Sequence, residues 1–188
     1  MRALPLLLLI ALPAAAQAPP AARQIEWAVQ PAPDKMRADA TVLGYGADGK
    51  LTTLRHGTGG MICLADDPAV PRHHVACYHR DLEPFMSRGR ELRAQGIKAE
   101  TAIDSARMAD IKAGKLKMPT QPALLYQLIA EPGNADPATG EVKNTRSLIV
   151  IYTPYATPEA TGLSLAPAKG QPWLMDPGLP WAHVMISP

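Results

Sequence analysis

Residues 123–130 read ALLYQLIA and residues 147–152 read SLIVIY. They are the most apolar stretches beyond the N-terminus, and the segment between them is rich in Gly, Asn, Pro and Asp. Short apolar runs bounded by turn residues are typical of strands buried inside a sheet. We therefore predict that these two segments are the central strands of the fold.

Further strand-like segments lie before and after this pair. Residues 40–45 and 50–55 flank the turn Gly46-Ala47-Asp48-Gly49, and an Asp-Gly turn between two such runs is a strong signal for a β-hairpin. The sequence also predicts strands at residues 61–64, 74–78 and 183–186.

The middle of the chain changes to helical periodicity. The first predicted helix has an apolar stripe, Asp81 as its N-cap and Gly96 as its end. The second has Thr101 and Asp104 at capping-box spacing and ends at Gly114. The charged residues of the first helix are expected to form a solvated face and not a binding site: Arg88, Arg90, Glu91 and Arg93.

This order of strands, two helices and further strands indicates an α+β fold. We expect a mostly antiparallel sheet, with the two helices inserted in the middle of the chain.

The N-terminus has the pattern of a cleavable signal peptide. Met1-Arg2 is followed by an uncharged run over residues 3–12, about half the roughly 20 residues that a membrane-spanning helix needs. Pro13 and Ala14-Ala15-Ala16 then favour cleavage before Gln17, and a cut after Ala18 is the alternative. A buried apolar helix of the mature fold is the competing interpretation. We expect residues 1–16 to be the signal peptide, 17–35 a Pro/Ala-rich tether with a strand-like island at 25–29, and 36–188 a single α+β domain.

Export implies a periplasmic or secreted protein, and the charge adds little to this. The chain has 19 Lys and Arg against 17 Asp and Glu, and cleavage removes Arg2 from the cations. A nearly balanced charge gives no reason to expect a nucleic-acid partner, and no stable membrane insertion is expected after cleavage.

Cys63 and Cys77 are the two cysteines of the chain. An exported protein meets an oxidising compartment, and an even count with one available pairing favours a disulfide. Closing this loop would stabilise the fold by about 3 kcal/mol in the chain-entropy treatment.

Histidine is the residue type that most merits a test for function. Four histidines, His56, His73, His74 and His79, surround the cysteine pair, and His183 lies in the last predicted strand. Imidazole is a common metal ligand, so zinc or copper is the alternative that these residues leave open. Metal-binding spacings such as H-x-x-x-H are missing, however, and neighbouring residues on a strand point to opposite faces. No cofactor is predicted, and hydrogen-bonded histidines near a disulfide are the favoured interpretation.

Two other features are candidate sites. The glycine-rich His56-Gly57-Thr58-Gly59-Gly60 precedes a strand and lacks the Lys-Ser/Thr end of a P-loop, so a tight turn with positive φ angles is predicted. Tyr155, Trp173 and Trp181 lie in a proline-rich tail and are candidates for a shallow groove, with packing of the loops onto the sheet as the alternative. No serine lies in a G-x-S-x-G or S-x-x-K motif.

A resemblance to other proteins rests on three parts of the sequence. They are Leu54-Arg55-His56-Gly57-Thr58-Gly59-Gly60-Met61-Ile62-Cys63, the later Cys77 and the closing His183-Val184-Met185-Ile186. The chain resembles a group of exported bacterial proteins of unknown function with an L-R-x-G-T-x-G-x-x-C segment, a second Cys and a C-terminal H-V-M-I strand. The match covers about a quarter of the chain after residue 16, and the helical middle departs from it. The resemblance implies export, pairing of the cysteines and a single domain, and it implies no activity.

The sequence therefore favours an exported small globular protein that acts as a binding or envelope-associated module. Its partner would be an unassigned ligand or another envelope protein, and an enzyme is the less favoured class. The alternative is a small extracytoplasmic metalloprotein or hydrolase that uses the histidine cluster. A structural or assembly partner is a third class.

Overall fold

A computed structural model describes residues 18–168 and 170–188 of the chain. The predicted signal peptide and Gln17 lie outside the described residues. Within them, in chain order, the elements are α1 (Ala21–Ala28), α2 (Asp34–Arg37), β1 (Thr41–Tyr45), β2 (Leu51–Arg55), β3 (Met61–Leu64), β4 (His73–His79), α3 (Glu83–Ala94), α4 (Glu100–Lys112), β5 (Ala123–Ala130), β6 (Arg146–Tyr152), α5 (Pro158–Thr161), β7 (Trp173–Met175) and β8 (His183–Ile186).

All of these strands belong to a single sheet with the order β2-β1-β3-β4-β5-β6-β8-β7. Every neighbouring pair is antiparallel except β1 and β3, which are parallel. The predicted α+β fold with a mostly antiparallel sheet is confirmed. The two apolar segments that we expected to be central are β5 and β6, and both have strands on either side.

The β1–β2 hairpin and the three further predicted strands are also confirmed. The parallel pair follows from the hairpin. Since β2 reverses the direction of β1, the chain must cross the start of β1 before β3 can pair with the other edge of β1.

That crossing is made by the glycine-rich segment, and its geometry corrects our prediction. Gly57, Gly59 and Gly60 are not among the described glycines with positive φ. A Cβ on Gly57 would instead overlap the backbone of Asp39 to Thr41, and one on Gly59 would crowd Asp39. Gly59 N–H donates to Asp39 O at 2.7 Å. Gly57 and Gly59 are therefore required for close backbone approach and not for a left-handed turn.

The predicted tether is the second correction. Residues 21–28 form helix α1, so the strand-like island is wrong, and Trp27 is only 3% exposed. The Gln24 side chain donates to Tyr45 O at 2.9 Å and accepts from Tyr45 N at 2.8 Å, which fixes α1 to the end of β1. An eight-residue helix is marginal in isolation, and burial against the sheet stabilises it.

Two helix caps also differ from prediction. Arg80–Leu82 form a short 3₁₀ turn, and α3 begins only at Glu83, so Asp81 is not its N-cap. Helix α4 begins at Glu100, which places Thr101 inside the first turn and not in a capping box. The inserted pair of helices itself is confirmed, and Gly96 and Gly114 follow the helix ends with φ of 88° and 70°.

The sheet has a packed layer on each face. On the face that we call the α1 face, α1 covers a core that includes Ala28, Val42 and the Cys63–Cys77 disulfide. On the opposite face, the α3 face, Tyr78, Leu82 and Leu125 are buried below α3. The predicted disulfide is confirmed, and it joins directly opposite residues of β3 and β4. Over the described residues, no helix has the length and apolar character needed to cross a membrane.

Candidate functional site

A groove of about 390 Å³ lies between the α3 face of the sheet and the helix pair α3 and α4. We call it the α3 groove. Its floor includes Leu64, Ala76 and Leu125 from three adjacent strands, and Phe85 and Met86 form an apolar wall on α3. Its polar lining consists of Tyr45, His74, Tyr78, Arg90, Arg93, Glu100, Arg107, Gln127 and Tyr152. An apolar pocket with a few convergent polar groups is the usual form of a small-molecule site.

Register places the floor residues on one face. Ala76 of β4 is directly opposite Leu64 of β3 and Gln127 of β5, so these three side chains form one row across the sheet. Tyr78, two residues further along β4, lies opposite Leu125 in the next row. The small side chain of Ala76 leaves space between the sheet and the helix.

Tyr78, Glu83 and Arg90 form a closed hydrogen-bonded group beside this floor. The Tyr78 hydroxyl donates to Glu83 Oε2 at 2.5 Å, and Arg90 contacts the hydroxyl at 2.9 Å and Glu83 Oε1 at 2.6 Å. Burial raises the pKa of Tyr78, while the charge of Arg90 opposes this shift. The tyrosine therefore stays neutral, and Arg90 and Glu83 balance each other's charge.

A second ionic group, at the junction of α3 and α4, is arranged differently. Arg93 Nη2 contacts both carboxylate oxygens of Glu100, at 3.0 and 2.7 Å. Arg107 Nη1 lies 3.8 Å from Glu100 Oε1 and 3.5 Å from Asp104 Oδ1. The Glu100 side chain is 60% exposed, whereas Arg107 is only 6% exposed. One solvent-accessible carboxylate thus lies between two guanidinium groups.

Arg107 is the most unusual residue of the groove. Its Nη2 donates to Phe85 O at 3.0 Å and its guanidinium carbon lies 3.9 Å from the centre of the Phe85 ring. Its buried Nε has no hydrogen-bond partner among the described residues. Burial lowers the pKa of Arg107, but an arginine side chain stays protonated in proteins. The residue is therefore a buried cation with an unused donor.

Gly89 leaves the space that the buried Arg107 guanidinium group occupies. It lies inside α3, where glycine costs about 1 kcal/mol relative to alanine. A Cβ at this position would overlap the Arg107 guanidinium group. A glycine within a helical pattern was therefore the signal in the sequence that a buried side chain approaches the helix backbone, and our sequence analysis missed it.

Polar groups from the sheet line the other part of the groove. His74 Nε2 lies 3.0 Å from Gln127 Oε1, and partial desolvation of the ring lowers the pKa of His74 although the residue keeps an exposed edge. Burial and the nearby carboxylate of Asp67 raise the pKa of Tyr45 to about 12. Burial also raises the pKa of Tyr152 to about 12. All three side chains are uncharged at neutral pH.

The expected solvated face of α3 needs a partial correction. Arg90 and Arg93 line the α3 groove, because the helix lies with this side towards the strands. Arg88 instead forms an ion pair with Asp110 of α4 at 2.7 Å, and it also contacts Glu91 at 3.4 Å. The charged side of α3 therefore pairs with α4 through Arg88 and lines the groove through Arg90 and Arg93.

The structure separates the histidines that we considered together. His74 lines the α3 groove, but His73 points to the opposite face, is 2% exposed and packs edge-on against Trp27 with ring centres 5.0 Å apart. His73 Nδ1 lies 3.2 Å from Asp66 Oδ2. Alternation along β4 explains this separation.

The other three histidines lie elsewhere. His56 is exposed in the crossing segment, the His79 ring accepts from Asp81 N at 3.4 Å, and His183 Nδ1 lies 2.9 Å from Trp181 O. Across residues 18–168 and 170–188, no three His, Cys, Asp or Glu side chains are grouped so that they could hold a metal ion.

The three aromatic residues proposed for a groove are not brought together either. Tyr155 is exposed and lines a second pocket, of about 690 Å³, with Met118 and Pro119. Trp181 is buried against Phe85, with ring centres 5.9 Å apart, and Trp173 is half-buried in β7. This second pocket is larger, but Lys117 is its only charged lining residue in the described part of the chain. The α3 groove brings more chemically distinct groups together.

Comparison of the chain with protein-family models, with curated protein sequences and with solved structures found no match to it.

Proposed function

We propose that this chain is an exported binding module that takes up a small organic ligand in the α3 groove. The observation that carries the proposal is the combination of an apolar floor with a polar lining in one concave site. Binding sites of this kind hold the apolar part of a ligand by burial and orient it by a few polar contacts. A disulfide is compatible with the oxidising compartment that export implies.

The groove residues favour binding over chemistry. The tyrosines are neutral, and Glu83 and Arg90 are paired with each other at 2.6 Å. Among the described lining residues there is no serine or cysteine that could act as a nucleophile beside His74. A site whose tyrosines are neutral and whose arginines can only donate hydrogen bonds orients a ligand without activating it.

The first prediction tests this site by filling it. In Ala76→Phe, the larger side chain would occupy the floor between Leu64 and Gln127. We expect compounds from a small-molecule library that raise the melting temperature of the wild-type protein to lose this effect in the variant. Thermal-shift measurements on the folded, oxidised protein provide the readout, and circular dichroism checks that the variant is folded.

Thr53→Phe is the matched control, because Thr53 is an exposed strand residue of β2 outside the groove. It should keep the wild-type response to every compound. If Ala76→Phe keeps this response as well, or if no compound at millimolar concentration stabilises the wild-type protein, the α3 groove is not a binding site.

A further inference from the structure

We propose that the α3 groove binds a small amphipathic monocarboxylic acid through Arg93 and Arg107, and that Glu100 occupies the position of the ligand carboxylate in the free protein. This inference rests on the proposed binding function and specifies the ligand class. It makes Glu100 an internal competitor of the ligand.

The contacts of Glu100 show where a ligand carboxylate can bind. Its two oxygens face one guanidinium nitrogen of Arg93, and one of them also faces Arg107. This position therefore already accommodates a carboxylate. The Glu100 side chain is 60% exposed, and exposed ion pairs are weak because water screens them. A ligand carboxylate can replace Glu100, which then turns towards water.

Arg107 is the second side chain that can bind the ligand carboxylate. Its Nε is buried and without a hydrogen-bond partner in the described part of the chain, although Arg107 lines the groove. A buried donor that lacks an acceptor is destabilising, and charge-assisted bonds to a carboxylate are among the strongest hydrogen bonds. An acid in the groove can supply a closer acceptor to Nη1 of Arg107, whose contacts with Glu100 and Asp104 are long, at 3.8 and 3.5 Å.

The charges select a singly charged ligand. When Glu100 turns away, the positive charges of Arg93 and Arg107 face the single negative charge of Asp104, which lies 3.5 Å from Arg107. Arg90 and Glu83 neutralise each other, and the lowered pKa of His74 keeps its ring uncharged. The two guanidinium groups thus keep a positive surplus over Asp104, which fits one carboxylate, and the carboxylates of Asp67 beside Tyr45 and of Asp176 near Asp104 disfavour a doubly charged phosphate. Leu64, Leu125 and Phe85 provide an apolar surface for the rest of the molecule.

The second prediction uses hydrocinnamate and its neutral amide, hydrocinnamide, as matched probes in calorimetric titrations. Wild-type protein should bind the acid about tenfold more tightly than the amide, since each tenfold corresponds to one strong charge-assisted contact. Glu100→Gln should bind the acid several-fold more tightly than wild type and the amide equally well.

Arg93→Gln should weaken acid binding about tenfold and leave amide binding unchanged. Arg93 is chosen because it is half-exposed, whereas loss of the buried Arg107 would endanger folding.

Glu91→Gln is the control, because Glu91 is similarly exposed on α3 and contacts Arg88 outside the groove. It should leave both affinities unchanged. Equal affinities for acid and amide, or weaker acid binding in Glu100→Gln, would overturn the proposed competition. A different result is that neither probe binds, but other compounds bind to the wild-type protein and not to Ala76→Phe. In that case the assignment of a carboxylate ligand fails and the binding function stands. If Ala76→Phe affects no compound, the binding function itself fails.

Discussion

Single residues decide how closely the segments of this protein approach one another. Gly57 crosses the start of β1, and Gly89 lies against the Arg107 guanidinium group. Neither glycine has a positive φ angle among the described residues. In both places the missing Cβ, and not an unusual backbone angle, explains why glycine is present.

The third prediction separates these two roles of glycine. Gly57→Ala should destabilise the fold by about 2 to 3 kcal/mol, because the added methyl group meets the backbone of Asp39 to Thr41, which cannot move aside easily. Chemical denaturation of the purified protein measures this change in the free energy of unfolding.

Gly60→Ala, in the same crossing segment, is the comparison. A Cβ at Gly60 would meet only the His79 ring, at 3.3 Å, so a change within about 0.5 kcal/mol is expected. Similar losses in both variants would mean that the backbone conformation of the segment, and not its approach to β1, requires glycine.

Local sequence pattern does not predict that the arginines of α3 line a groove. Arg90 and Arg93 lie in a sequence typical of an exposed helix surface, and local pattern alone gives no reason to place them over a sheet. Only the packing of α3 against β4 and α4 decides that these charges line a concave site.

Among the elements, α1 differs most from its prediction. Ile25, Trp27 and Val29 alternate as in a strand, but the surrounding alanines are strong helix formers. Trp27 donates its indole N–H to Gly140 O at 2.8 Å and contacts His73. The helix is thus held by the long β5–β6 connection as well as by the sheet.

The fourth prediction tests whether α1 is part of the folded core. Trp27→Ala should destabilise the protein by about 3 to 5 kcal/mol, the usual cost of removing a buried tryptophan. Met36→Ala is the control, since Met36 is exposed on α2 and its loss should change stability by less than about 0.5 kcal/mol. Thermal or urea unfolding measures both. Equal stability of the two variants would restore the interpretation of this segment as a tether.

At the scale of the whole molecule, the sheet divides two kinds of surface. The α1 face holds the disulfide in an apolar core, whereas the α3 face carries the groove with its charged wall. The position of Cys63 and Cys77 beneath α1 places the disulfide on the other side of the sheet from the candidate site. It therefore supports the floor of the groove without contributing a reactive group.

The fifth prediction concerns the full chain and its export. When it is produced in a bacterium with its own N-terminus, we expect export, cleavage before Gln17 and complete oxidation of the two cysteines. N-terminal sequencing and thiol counting under denaturing conditions test these results. Ala14→Asp combined with Ala16→Asp should block cleavage, because a signal peptidase requires small residues there. An uncleaved wild-type chain, or two free thiols, would contradict the prediction.

The sequence by itself determined every strand of the described sheet except β7, together with the inserted helix pair, the hairpin and the disulfide. These features depend on local periodicity, turn residues and a count of two cysteines, which are all present in a linear chain. The same local information could not decide between strand and helix at residues 25–29, because a short apolar alternation fits both.

Only the tertiary structure decided where the candidate site lies. It separated His73 from His74 across the sheet, buried Trp181 and brought Arg93, Glu100 and Arg107 into one groove. These outcomes depend on which faces of distant elements meet, and each such contact is a balance of burial against the desolvation of charge. That balance is set by neighbours remote in sequence, such as Gly89 beneath Arg107, and not by the pattern around each residue.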